Sequence, residues 1–360
     1  MEFSAQYMFK NTYKSLISEE VYLSAQKNYT KKNGCRDLVS KCREVAARGD
    51  PDGNGLNEEV NILCRNATST CATEVASTFL VAKKAAFDIA VDLVPILEIS
   101  PCEYYLPVHV YLNQPSSQQA LGVPLNFTYI SKAALDSYTP GTLGTGDLAR
   151  PDDSSFKYVL SNNISVALIN GDRDSRATWI SAENFALTVD YPNHEAYARA
   201  GLEPITTNDS YQGGLVRQYD GFSFSRIFQA GHAVHAYQPE TLDRVFSRTI
   251  FRKDVATGKK RASGGYSTDH SGNGYAKQEL PDSSKTATCM VAGAFQEKNV
   301  WDPILEVLKA AQGGGNGTQG GNGTQGGNGT RPGKSSSVQV QSGRYMVVAP
   351  LVFAVFWLLA

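Results

Sequence analysis
Residues Phe222–Pro239, FSFSRIFQAGHAVHAYQP, join a β-type run to a histidine and then to a helix. Phe222, Phe224, Ile227 and Phe228 supply the apolar part of the run, partly alternating with Ser223, Ser225 and Arg226. Such a pattern predicts a buried strand. Ala230-Gly231 turns the chain, and His232 follows at once. Pro239 and Glu240 then open a helix in which Leu242, Val245, Phe246 and Ile250 recur at helical spacing. A histidine held between a small-residue turn and a helix start suits a general base. A lone histidine is as a rule structural, so the reading needs a second stretch.

That stretch is Ser165–Trp179, SVALINGDRDSRATW. Val166–Ile169 is a continuous apolar run of the kind found in central parallel strands buried on both faces. It ends in Gly171-Asp172-Arg173-Asp174, and in open α/β sheets functional groups lie just past the carboxyl ends of strands. An acid there, with a histidine 58 residues later after another strand, follows the acid-then-histidine order of an α/β-hydrolase triad.

The bulk composition sets the surroundings. The chain has 360 residues, 41% hydrophobic and 19% charged, with 34 basic against 35 acidic side chains and a net charge of −1. These are globular values, and they provide no electrostatic case for nucleic acid as a partner. Eight N-x-S/T sequons, at Asn28, Asn66, Asn126, Asn163, Asn208, Asn316, Asn322 and Asn328, point to the secretory pathway. Tyr345–Ala360, YMVVAPLVFAVFWLLA, is a terminal run of sixteen residues without a charge. That is short of the about 20 residues a spanning helix needs. Small residues at Gly333 and Ser335–Ser337, a polar spacer with Arg344 and this tail make a glycosylphosphatidylinositol (GPI) attachment signal, with Gly333 or Ser335 as attachment residue. A membrane lipid is thus an expected partner. The amino-terminal MEFSAQYMFKNTYKSL has no basic segment followed by an apolar one, so the expectation is that the polypeptide lacks its true beginning.

In chain order, residues from Met1 to about Tyr29 read as helix, with Ser18 capping a turn that carries Glu19 and Glu20. Four of the six cysteines follow, Cys35, Cys42, Cys64 and Cys71. Two facing helices would set Cys42 near Cys64 and Cys35 near Cys71, while four cysteines allow three connectivities. A metal site is disfavoured because no histidine lies near and the compartment favours bridges. The intervening GDPDGNG, Gly49–Gly55, lacks the glutamate of a calcium loop and reads as a turn. Ala86–Pro107 is a crossing segment with Cys102, which together with Cys289 has no evident partner. In Tyr111–Val123, Asn113 is the candidate cap, Pro115 the first turn and Gly122 the stop. Residues 256–287 read as a surface excursion, Trp301–Ala311 as a short helix, and Gly313–Thr330 as a glycosylated flexible stalk.

GDRDSRATW, the strand–AGH-x-V-x-x-x-QP element and YLNQPSSQQALGV together resemble the serine carboxypeptidases of the α/β-hydrolase superfamily, closest to the fungal secreted, GPI-anchored branch. The likeness runs from about residue 7 to residue 254. It implies an α/β class: an incomplete α/β-hydrolase fold, the C-terminal strands of the sheet, with a disulfide-stapled helical insertion whose bridges are nested. It implies catalytic roles for His232 as base and Asp174 as orienting acid, with Asp172 supporting the turn, peptide C-termini as substrates, a preference for acidic pH, and no cofactor or metal. Four regions are expected: 1–110 helical insertion, 111–311 hydrolase domain, 312–332 stalk and 333–360 anchor signal.

The departures concern the nucleophile. No G-E-S-Y-G-G and no other G-x-S-x-G occurs in the sequence, and neither does the family's N-G-G-P-G oxyanion strand. Asp209-Ser210-Tyr211-Gln212-Gly213-Gly214 is a look-alike in the wrong place, between acid and base, with Ser210 inside a sequon. Ala177 stands where many members have cysteine, and His235 where proline is usual. The expected function is a cell-surface carboxypeptidase that lacks its serine in this polypeptide, hydrolysis and acyl transfer being undistinguished. The alternative is a non-catalytic anchored surface glycoprotein derived from the enzyme.

Overall fold
A computed structural model describes residues 2–11, 13–92, 110–128, 144–150 and 153–269. Cys102, Cys289, the helix expected at 301–311, the stalk with Asn316, Asn322 and Asn328, and Gly333 and Ser335 lie outside these residues.

The amino-terminal helix is two helices, α1 (Glu2–Lys10) and α2 (Glu19–Thr30). Between them Asn11 turns its side chain onto the backbone, accepting from Tyr13 N–H and donating to the Tyr7 carbonyl. An amide side chain that bonds the main chain in this way competes with helix continuation. Ser18 does cap α2, its hydroxyl accepting from Val21 N–H.

Helices α3 (Cys35–Gly49) and α4 (Glu58–Cys71) form an antiparallel pair. Cys35, Cys42 and Ala46 line one buried stripe, and Val60, Cys64, Ala67 and Cys71 the other. These i, i+4 and i+7 spacings keep each set on one face. Two nested disulfides, Cys35–Cys71 and Cys42–Cys64, close the pair. In the turn between the helices Asp50 accepts from Asn54 and Gly55 N–H and pairs with Arg150 at 2.7 Å. Asn57 caps α4 through Glu59 and Val60 N–H.

After α5 (Thr78–Val81), strands β1 (Lys84–Ala85) and β2 (Asp88–Asp92) pair antiparallel. Helix α6 (Pro115–Leu121) starts one residue later than expected: Gln114, not Asn113, is the cap residue. Asn113 instead closes a loop by donating to the Phe127 carbonyl and accepting from Phe127 N–H. Gly122 ends the helix with φ +65°, a left-handed position that suits glycine.

The carboxyl-terminal part is built on a four-stranded mixed sheet in the order β3-β6-β5-β4: β3 (Val166–Gly171), β6 (Phe222–Ile227), β5 (Tyr211–Tyr219) and β4 (Glu203–Asn208). β3 runs parallel to β6, and the other pairs are antiparallel. Helices α7 (Ser154–Ser161), α8 (Trp179–Thr188), α9 (His194–Arg199), α10 (Val234–Tyr237) and α11 (Pro239–Ile250) accompany the sheet. The expectation for Val166–Ile169 is corrected: among the described residues β3 lies at the sheet edge, and the run is half-buried. An apolar run reports on the two faces of a strand and is blind to its neighbours in the plane.

β6 is the buried central strand, with all six residues inside. Its period of two sends Phe222 and Phe224 into a core with Trp179, Tyr197 and Tyr7, and Ile227 into a second core with Ile205, Val216 and Val245. Arg226 is inside as well, its guanidinium 4.4 Å from the Trp179 ring and its Nη2 3.4 Å from Asp172. Residues 256–269 are more than a surface excursion. Ala256, Ala262 and Thr268 are buried, and Thr268 bonds to Gln218 of β5.

The two bridges close separations of 36 and 22 residues. Replacing Cys42 and Cys64 together by alanine is expected to lower unfolding free energy by about 3 kcal/mol, read from urea unfolding followed by far-UV circular dichroism.

Candidate active site
The parallel register pairs Gly171 of β3 with Ile227 of β6, so both strands end side by side. The ladder continues beyond them: Asp172 N–H donates to the Ile227 carbonyl and Arg173 N–H to the Ala230 carbonyl. The loops cross in contact. A Cβ on Gly171 would stand 2.2 Å from the Gly231 oxygen and 2.4 Å from that of Ala230. Gln229 enters the turn at φ +54°, an uncommon conformation for a residue with a side chain.

This crossing brings Asp174 and His232 together, with Oδ2 of the acid 2.7 Å from Nδ1 of the imidazole. The other carboxylate oxygen, Oδ1, accepts from the N–H groups of Arg176 and Ala177. Asp174 is thereby fixed by its own turn, immediately before Thr178 caps α8 through Ser181 N–H. An ionised carboxylate accepts only, so Nδ1 carries the proton and Nε2 the lone pair. The acid side chain is 3% exposed and the imidazole 26%. One end of the pair is thus held away from water while the histidine remains reachable. The imidazole also packs against Phe87, ring centroids 4.9 Å apart, and His232 N–H donates to the Phe87 carbonyl.

Asp172 takes a different part. Its carboxylate receives Arg226 and Ala230 N–H, and Tyr13 donates to it as well. Its backbone carbonyl accepts from the Tyr7 hydroxyl at 2.7 Å. Burial pushes this carboxyl up, and Arg226 and Tyr13 work against that shift. Burial next to Asp172 likewise raises the Tyr7 and Tyr13 phenols, which keeps both as donors. Asp172 ties the amino-terminal helices to the acid turn.

The remaining candidate residues fall elsewhere. Ser210 is exposed, its hydroxyl bonded to Asn208 of its own sequon. Asn66, Asn126, Asn163 and Asn208 are exposed, and Asn28 is half-buried on α2. His235 is exposed on α10. Ala177 contributes its N–H to Asp174 and its carbonyl to Asn170. Among the described residues no group of three or more His, Cys, Asp or Glu side chains gathers as a metal site would require.

Reading the sequence misses Phe87 and Asp88. Asp88 is fully buried and pairs with Arg173 at 3.1 Å. The signal is a charged residue inside an apolar β-like run, Ala85–Val91, where a carboxylate must find a partner.

This chain belongs to the serine carboxypeptidase family, whose model matches residues 2–252. It is 37% identical over 260 residues to carboxypeptidase S1 homolog A of Arthroderma benhamiae, covering 71% of this chain and 38% of that protein. To the carboxypeptidase Y homolog of the same fungus it is 38% identical over 256 residues, 69% of this chain and 39% of the other. The chain therefore spans well under half the length of these relatives. Among solved structures, a prohormone-processing carboxypeptidase from Saccharomyces cerevisiae aligns over 61% of this chain and 45% of its own, with 15% identity and a TM-score of 0.38.

Gly171→Ala is expected to drive the two loops apart. The predicted outcome is a loss of about 3 kcal/mol in denaturant unfolding, with His232 released from Asp174 in histidine NMR spectra.

Proposed function
We propose that the chain carries the acid–base pair of a serine carboxypeptidase that releases single residues from peptide C-termini. What supports this most directly is the 2.7 Å contact between Asp174 and His232 beyond two adjacent strand ends. His232 Nε2 accepts the proton of a serine hydroxyl as its oxygen adds to the terminal peptide carbonyl. The imidazolium is stabilised by Asp174 and returns that proton to the departing amino nitrogen, leaving an acyl-enzyme. Water then adds through the same base, and the shortened peptide leaves as its acid. Asp174 holds the imidazole in the tautomer this requires.

The serine itself is proposed to come from a segment outside these 360 residues, since no G-x-S-x-G occurs in them and the matched part covers only 38% of the relative from Arthroderma benhamiae. In this reading residues 1–110 are the helical insertion and 111–311 the carboxyl-terminal part of the hydrolase domain. Residues 312–332 are a glycosylated stalk, and 333–360 a signal exchanged for a glycolipid at Gly333 or Ser335. The enzyme then acts at the cell surface. Among the described residues no helix is long and apolar enough to cross a membrane. The sequons and the sixteen-residue terminal run support the anchor.

The test is to isolate the protein from its own cells through a tag in the stalk and assay N-blocked dipeptides. Release of the terminal amino acid is expected, abolished by C-terminal amidation and reduced by about 10⁴-fold or more in His232→Ala. Wild-type rates in His232→Ala would sink the reading. The 360-residue chain made alone is expected to show no turnover; turnover by it would refute an external serine. Phosphatidylinositol-specific phospholipase is expected to release the cellular protein from membranes, and retention after treatment would refute the glycolipid.

A further inference from the structure
Four consecutive residues, Ala86–Ile89, bond to His232 and to both chain neighbours of Asp174. The Ala86 carbonyl accepts from Ser175 N–H at 3.0 Å and from the Ser175 hydroxyl at 2.7 Å. The Phe87 carbonyl accepts from His232 N–H at 2.9 Å, and its ring lies against the imidazole. Asp88 pairs with Arg173, and Ile89 N–H donates to the Arg173 carbonyl at 2.9 Å. The residues on each side of Asp174, and His232 itself, are thus all bonded to one extended segment. We propose that residues 86–89 are a positioning strap for the acid–base pair, with Asp88 as its fastening.

The loops already meet through Arg173 N–H and the Ala230 carbonyl. Ala230 N–H also donates to the Asp172 carboxylate. The N–H groups of Ser175 and His232 find their acceptors on the strap instead. Its approach is close: a Cβ on Gly231 would stand 2.6 Å from the Phe87 oxygen and 2.9 Å from the Tyr237 ring. The fastening is deeply set. Asp88 is 0% exposed and Arg173 2%. The Arg173 guanidinium lies 5.0 Å from the Tyr237 ring centre, and Tyr237 also bonds the Asp88 carboxyl. Burial pushes that carboxyl up, while Arg173, Ala90 N–H and Tyr237 oppose the shift. Removing the Asp88 charge leaves Arg173 buried without its counter-charge, so the guanidinium must move and carry the Arg173–Ser175 backbone with it. The strap residues act through Asp174 and His232 and are positioning residues.

The inference rests on Asp174–His232 being the acid–base pair, but its first readout needs no activity. In the histidine-labelled chain the His232 Nδ1 proton, identified by its loss in Asp174→Asn, reports the bond directly. Asp88→Asn is expected to shift that resonance and speed its solvent exchange at least about tenfold. Glu183→Gln breaks another largely buried ion pair, Arg217–Glu183 at 3.1 Å, and is expected to lose stability without moving the resonance. If Asp88→Asn does not fold, Phe87→Ala carries the test: it keeps the backbone acceptor and removes the ring, and a shift is again expected. An unmoved resonance in folded Asp88→Asn, or in folded Phe87→Ala where Asp88→Asn does not fold, overturns the strap. In the cellular enzyme Asp88→Asn is expected to lower kcat by about tenfold to 100-fold with KM little changed. A shifted resonance with unchanged kcat would count against the pair's catalytic role and leave the strap standing.

Discussion
The parallel ladder between β3 and β6 is the constraint on which the site depends. It alone determines that two chain segments separated by 58 residues finish level with each other. Past the last pair, Gly171 opposite Ile227, the loops lie closer than any side chain on Gly171 would permit. The approach of Asp174 to His232 therefore begins with strand register and the absence of one Cβ. Each loop then needs only a few residues to deliver its group, so little flexible chain separates the imidazole from the rigid sheet.

The surroundings divide the electrostatic work. Asp174 and Asp172 are two residues apart, yet one orients the histidine and the other anchors Arg226 and the amino-terminal tyrosines. Asp172 sits deeper, and its charge is balanced by an arginine held over Trp179. Asp174 accepts two backbone N–H groups on one oxygen and faces the imidazole with the other. Moving the buried cation away from Asp174 leaves the histidine as that acid's partner across the loops.

Much of this was legible in the sequence because its signals are local. The β6 run, the Ala230-Gly231 turn, Pro239 at a helix start and the Gly-Asp-x-Asp after an apolar run each follow from a few neighbouring residues. The two helices with four cysteines were legible too, since equal spacings on helical faces constrain which bridges fit. What was not legible involves distant partners. Nothing near Val166 says which strands flank it. The partly alternating β6 run was read as buried, but not that Arg226 inside it would lie over Trp179 and pair with Asp172, 54 residues back. Asn113 looked like a cap but bonds Phe127, fourteen residues away. Asp88 found its partner 85 residues further on.

That last separation bears on how the site is made unique. Ala85–Val91 is apolar except for Asp88, so hydrophobic burial alone would accept several registers of this segment against the two loops. A slip by one residue would exchange Asp88 for Phe87 or Ile89 opposite Arg173. It would then leave a guanidinium and a carboxylate buried apart, at a cost of several kcal/mol. The ion pair adds little over a well-packed apolar pair in net stability, yet it penalises every misplaced register. The same slip would move the Phe87 carbonyl off His232 and the Ala86 carbonyl off Ser175. A register enforced by one buried charge is therefore also the register in which Asp174 and His232 stand 2.7 Å apart.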